Sequence, residues 1–235
     1  MSATRGVVPL AALLALAPSV AAAAESRPLD WAAWATLLAL VPFAVILLSC
    51  FVKVAVVLTV LRGAFGSSLP PRSVVAALTL LLTVFVMAPV GERTWAQVAP
   101  GLQRGDAASL AEAAVKGREP VRAFLAAHAP ERERASFLEL ARRLRPPEER
   151  AAVGEQDLLV LAPAFVVSEL RAAFQMGFLL LLPFLVLELV VASVLATLGM
   201  TSLEPRRVAL PFKLLLFVLA DGWHLLARGL VQSYG

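Results

Sequence analysis

The forty-one residues from Leu158 to Leu198 are apolar apart from a few interruptions, chiefly Pro163, Glu169, Arg171, Pro183 and Glu188. Nothing else in the chain constrains its fold as much. As one straight helix the run would be about 60 Å long, roughly twice the ~30 Å hydrocarbon core of a bilayer. It must therefore bend, fold back or extend out of the membrane, and Pro183 is the obvious kink site. Composition agrees with a membrane protein. Of the 235 residues, 60% are hydrophobic, and the mean hydropathy of +0.81 is well above that of a soluble domain.

Other apolar segments flank this one. From Trp34 to about Leu61 the chain is apolar except for Lys53, long enough to cross a bilayer with tilt or a bend. Arg62, Gly63, Gly66 and Pro70-Pro71-Arg72 form a short basic turn, and Val74 to Val90 is a second apolar run, which makes a helical hairpin. Near the end, Leu210 to Trp223 reads as a helix opening at Pro211, where the missing N–H has no partner to lose. Lys213 and Asp221 lie eight residues apart on it, about 12 Å along nearly the same face. That is too far for a direct salt bridge, so each needs a partner elsewhere, which points to assembly.

Glu92 to Asp157 is the hydrophilic part. Its eleven basic and eleven acidic residues cancel, so the net charge of +4 marks a solvated mixed-charge surface and no nucleic-acid site. Phe137, Leu140, Ala141 and Leu144 recur at helical spacing as one apolar stripe, stopped by Pro146-Pro147. With so little apolar surface, this small helical domain is expected to pack against copies of itself or the membrane helices. Residues 1–24 read as a secretory signal: Arg5, an apolar core from Val7 to Val20, and Ala22-Ala23-Ala24 before Glu25. The alternative is an apolar N-terminus that is kept. The expected fold class is thus an all-α membrane protein of apolar helical hairpins with about four hydrophobic segments. The divisions are a signal at 1–24, a hairpin at 25–91, an inserted hydrophilic helical domain at 92–157 and a second hairpin at 158–235.

No enzyme signature is present. His128 and His224 are far apart, and no His-Glu-x-x-His, Gly-x-Ser-x-Gly or phosphate loop occurs. The single cysteine, Cys50, excludes an internal disulfide and a cysteine-based metal site, so neither a cofactor nor a metal is expected. Trp31, Trp34, Trp95 and Trp223 sit near the ends of apolar runs, as interfacial anchors do. The charges inside the apolar runs carry more information: Lys53, Glu169, Arg171, Glu188, Lys213 and Asp221. A lone charge near a helix centre costs about 2.5–3.5 kcal/mol on insertion scales, so these must pair, snorkel or face water. Glu169 and Arg171 point to different helix faces and do not pair by spacing alone. Lys213 and Asp221 are either snorkelling charges at helix ends or charges held between subunits or along a wet lumen.

Several motifs resemble the FliP/SctR (YscR) family, pore-forming membrane subunits of the type III secretion export apparatus. They are Phe51-Val52-Lys53, Leu61-Arg62, Pro70-Pro71, Met87-Ala88-Pro89-Val90-Gly91, Leu161-Ala162-Pro163-Ala164-Phe165, Ala173-Phe174-Gln175-Met176-Gly177-Phe178, Leu182-Pro183-Phe184, and the segment from Leu210 to Trp223. Together they span roughly Pro42 to Gly235. Phe51-Val52-Lys53 and the Ser233-Tyr234-Gly235 ending look more like injectisome members than flagellar ones. The resemblance implies an export gate in the bacterial inner membrane: a homo-oligomer of about five copies with SctS/FliQ-like and SctT/FliR-like membrane subunits, in contact with lipid and passing unfolded secreted proteins. A cleaved signal would leave Glu25 in the periplasm. The basic turns at Arg62/Arg72 and Arg206/Arg207 would then face the cytoplasm, with the hydrophilic domain and the C-terminus periplasmic. The flagellar homologue is the near alternative, and an ion- or proton-coupled transporter is the alternative of a different class.

One departure stands out. The family typically carries several consecutive methionines after the long apolar run, a flexible seal across the pore. Here that loop keeps Met200 alone, followed by Thr201, Ser202 and Leu203. Methionine suits a seal because it is unbranched and repacks around varied shapes. Either Met200 and Leu203 carry the seal in this loop, or a partner subunit chiefly closes the pore.

Overall fold

The computed structural model describes residues 39, 42–66, 69–200 and 202–235, and among them every regular element is helical. The segment read as a signal, with Trp31 and Trp34, lies outside the described residues. Eight α-helices follow the short helical stretch 42–47: α1 Phe51–Ala64, α2 Arg72–Arg104, α3 Ala107–Lys116, α4 Arg118–His128, α5 Glu131–Arg143, α6 Leu158–Thr197, α7 Pro205–Leu219 and α8 Gly222–Gln232. A 3-10 turn at Pro147–Ala152 separates α5 from α6. Two compact units are formed. One holds Pro89–Val166 with the described residues up to Leu48; the other holds Ser49–Ala88 and Val167–Gly235.

Among the described residues two helices, α2 and α6, are long and apolar enough to cross a membrane, and α7 with α8 would make a third span if counted as one. Four hydrophobic segments were expected. The first, Trp34 to Leu61, is broken at 48–50, leaving α1 with 14 residues, about 21 Å of helix. The forty-residue α6 passes Pro163 and Pro183 without interruption, so of the expected alternatives it does not fold back. No loop divides the second apolar run from the hydrophilic segment either, because α2 continues through Pro89 and Pro100.

In the second unit α1 is the core element. Val52, Val54, Val56, Val57, Thr59 and Val60 are β-branched and weak helix formers, so burial rather than propensity holds it. Val54, Val57, Leu58 and Leu61 are fully buried. Each such side chain is worth about 1.5–3 kcal/mol on removal from water. Phe65, just past α1, stacks edge-on against Phe184 of α6 (5.2 Å) and Phe217 of α7 (5.4 Å). A methyl added at Gly177 of α6 would lie 3.1 Å from Val60, so those backbones approach closely. Outside this core, much of the apolar surface is bare: Val84 and Phe85 of α2 and Phe178, Leu179 and Leu189 of α6 are exposed.

The first unit is packed through small residues and aromatics. A Cβ at Gly101 of α2 would meet Ala113 at 2.5 Å, and one at Gly117 would meet Val98 at 2.6 Å, so α3 rests directly on the end of α2. Asp106 caps α3 by accepting from the Ser109 N–H (2.9 Å). Phe124 of α4 packs edge-on against Phe165 (5.6 Å) and tilted over the His128 ring (4.4 Å). The stripe expected on α5 is displaced. Leu138 is the buried residue, with Phe137 and Ala141 partly buried, whereas Leu140 and Leu144 are exposed. Val153 and Val160 complete that cluster, so the chain's return after the 3-10 turn selects the neighbouring face.

Candidate functional site

Four of the charges singled out in the sequence, Lys53, Glu169, Glu188 and Lys213, form two clusters within the second unit. In the first, Lys53 of α1 and Glu169 of α6 make a salt bridge of 2.9 Å, with side chains only 5% and 4% exposed. Lys53 lies on the buried face of α1, one turn before Val57, which is why it cannot snorkel out. The Tyr234 hydroxyl donates to Glu169 Oε2, and the Lys53 ammonium lies 4.1 Å from the centre of the Tyr234 ring.

In the second cluster Lys213 of α7, 3% exposed, reaches Glu188 of α6 at 2.5 Å. Its ammonium also donates to the carbonyl of Ala64 (3.0 Å), one of the carbonyls that the end of α1 leaves without an intrahelical donor. Glu188 is 28% exposed and has a second, looser cation, Arg206, at 3.8 Å. The carboxylate therefore stands between a buried cation and an exposed one.

Lys53, Glu169, Glu188 and Lys213 thus find counter-charges in their own chain, and the need for a second subunit does not follow from them. Arg171 is exposed on α6, two residues from the buried Glu169. Asp221 is displaced from its expected place. The helix holding Lys213 ends at Leu219, and Asp221 adopts a left-handed conformation (φ 50°) before α8 begins, with the two helices bent by 62°. It is exposed and makes no side-chain cap, so the two-turn relation with Lys213 is lost. A Cβ at Gly222 would fall 2.3 Å from the Phe217 ring, so glycine is required where the chain turns back against that ring.

The two ends of the short loop from α6 to α7 are well specified. Gly199 is left-handed (φ 69°), its N–H bonds to Ala196 O (3.1 Å), and the Met200 N–H bonds to Leu195 O (3.0 Å). This is the paired Schellman closure of a helix C-terminus. Pro205 opens α7, and Arg207 pairs back to Glu204 at 2.7 Å. Between these ends Met200 and Leu203 are 46% and 44% exposed, and Ser202 is exposed too, while Thr201 lies outside the described residues. The loop therefore presents two large apolar side chains outward on a backbone fixed at both ends.

A family model, that of the FliP family, matches residues 34–230. The chain belongs to the FliP family. Among its relatives is the hypersensitivity response secretion protein HrcR of Ralstonia nicotianae, 43% identical over 207 residues, covering 85% of this chain and 94% of that protein. Yop proteins translocation protein R of Yersinia pestis is 40% identical over 202 residues, covering 85% and 93%. The flagellar biosynthetic protein FliP of Bacillus subtilis is 38% identical over 200 residues, covering 85% and 88%. Within this FliP-family chain, sequence reasoning missed the roles of Tyr234, Ser233 and Arg206. The Ser233-Tyr234-Gly235 ending had stood out only as a mark of the injectisome branch, and an aromatic hydroxyl beside apolar helices was the available signal.

Proposed function

We propose that this chain is a core pore-forming subunit of a type III protein export gate in the bacterial inner membrane, of the injectisome branch. The observation that carries the reading is the family match across residues 34–230, with relatives named for secretion and translocation along nearly their whole length. The physical arrangement supports it. Helices α2 and α6 keep their apolar faces outward, where lipid or neighbouring subunits can cover them. In this reading about five copies join SctS/FliQ-like and SctT/FliR-like subunits around a channel for unfolded secreted proteins. Residues 25–91 and 158–235 act as the membrane parts, and 92–157 with the C-terminus face the periplasm. Arg171 and Asp221, exposed in the single chain, are the charges best placed to meet a neighbour or a wet lumen.

The gate in this proposal is the loop from Met200 to Leu203. Exposed apolar side chains on a fixed backbone can narrow a pore and hold ions back by dewetting. Ion conductance of the reconstituted complex across a planar bilayer tests this. Met200→Ala should raise the closed-state conductance while the yield of complex stays equal, and Thr201→Met with Ser202→Met should lower it. An unchanged closed state in Met200→Ala would move the gate away from this loop.

A further inference from the structure

Ser233 and Tyr234 follow α8 and complete a polar site that the two charges alone leave unfinished. The Lys53 ammonium has three hydrogens and meets three acceptors: Glu169 Oε1 at 2.9 Å, Ser233 Oγ at 3.3 Å and the face of the Tyr234 ring. Two of the three come from the segment after α8. On the other side, Glu169 uses Oε1 for the lysine and Oε2 for the Tyr234 hydroxyl. One side chain thus offers a π-face to the cation and a donor to the anion. Ser233 Oγ is itself held by donation to the Leu230 carbonyl (2.7 Å), which fixes the segment to the last turn of α8.

We propose that Tyr234 is a latch over the buried Lys53–Glu169 pair, coupling the position of the segment after α8 to water access at the start of α1. Seated, it supplies what solvent would otherwise supply to both charges. Lifted together with Ser233, it leaves a cation with one acceptor of three and a carboxylate oxygen bare, so water must follow. The latch ties together α1, α6 and the end of α8, segments far apart in the chain. Movement of the residues after α8 is therefore transmitted to the N-terminal end of the core helix.

The protein carries a reporter at that position. Cys50, its one cysteine, is fully buried and lies three residues before Lys53. The rate of N-ethylmaleimide labelling of the full chain in isolated membranes reads how often the region opens. The parent should label slowly. Tyr234→Phe keeps the ring and removes the hydroxyl, and should label roughly 10-fold faster, the weight of one hydrogen bond to a charged group. Tyr234→Ala removes ring and hydroxyl together and should label faster still. In a Lys53→Met/Glu169→Leu background there are no charges to serve, and Tyr234→Phe should then change nothing. Tyr234→Phe labelling at the parent rate overturns the latch, as does an equal acceleration with and without the charges. If Tyr234→Ala fails to accumulate, Tyr234→Phe in the two backgrounds decides alone.

Discussion

Lys213 and Glu188 allow a test in which the two partners are not equivalent. Glu188→Gln keeps the shape of the side chain and leaves the Lys213 ammonium, 3% exposed, with the Ala64 carbonyl and no counter-charge. A buried charge stripped of its partner costs about 3–5 kcal/mol. Lys213→Met keeps most of the methylene stem and leaves the carboxylate, but Glu188 is 28% exposed and Arg206 is already 3.8 Å away. Partial solvation and the substitute cation should hold that loss to about 1–2 kcal/mol, nearer the scale of an exposed pair. The double variant removes both charges from an apolar setting and should be more stable than Glu188→Gln alone. Reversible unfolding of the purified chain in mixed micelles gives all three values, and the cycle gives the coupling. The reasoning fails if Lys213→Met costs as much as Glu188→Gln, or if the two losses simply add. Either result would mean that Lys213 and Glu188 are not each other's main partner.

Two further outcomes follow from local geometry. Gly222→Ala drives a methyl into the Phe217 ring, 2.3 Å away, and should cost about 1–3 kcal/mol in the same unfolding measurement, the usual range for overpacking. Asp106, capping α3, has its carboxyl held below the ordinary range, first by the Ser109 side chain and then by the Ser109 N–H. A depressed folded-state value means the cap is fully present above the unfolded carboxylate range and is lost as pH falls through the folded value. Hydrogen-exchange protection at Ser109 should therefore weaken on acidification, and Asp106→Asn should remove that pH dependence.

Elements were legible in the sequence where they rest on composition, and illegible where they rest on a distant partner. The long apolar run Leu158–Thr197 announces α6. The start of α7 was misplaced: Pro205 opens the helix and Pro211, the expected first-turn proline, lies inside it. The end of α7 was signalled, since Asp221-Gly222 is a turn dipeptide, but the apolar residues on either side outweighed it. The stripe on α5 failed for another reason. Period alone cannot choose between Leu138 and Leu140 until Val153 and Val160 arrive from later in the chain. The charge pairs are the clearest limit. Lys53 meets Glu169, and Lys213 meets the end of α1, across gaps of 116 and 149 residues, which no local pattern encodes.

The length of α6 also bears on how a cell handles the subunit before assembly. Upright in a bilayer, a lone copy must hold about half of a 60 Å helix in water, and outward residues such as Phe174, Leu185 and Val190 are spread along it. Exposed apolar surface of this kind is what chaperones and quality-control proteases act on. The lifetime of the free chain is then set by how soon other proteins cover it. Surplus copies should then be cleared, and the amount of this subunit should follow the supply of its neighbours even when its own synthesis is constant.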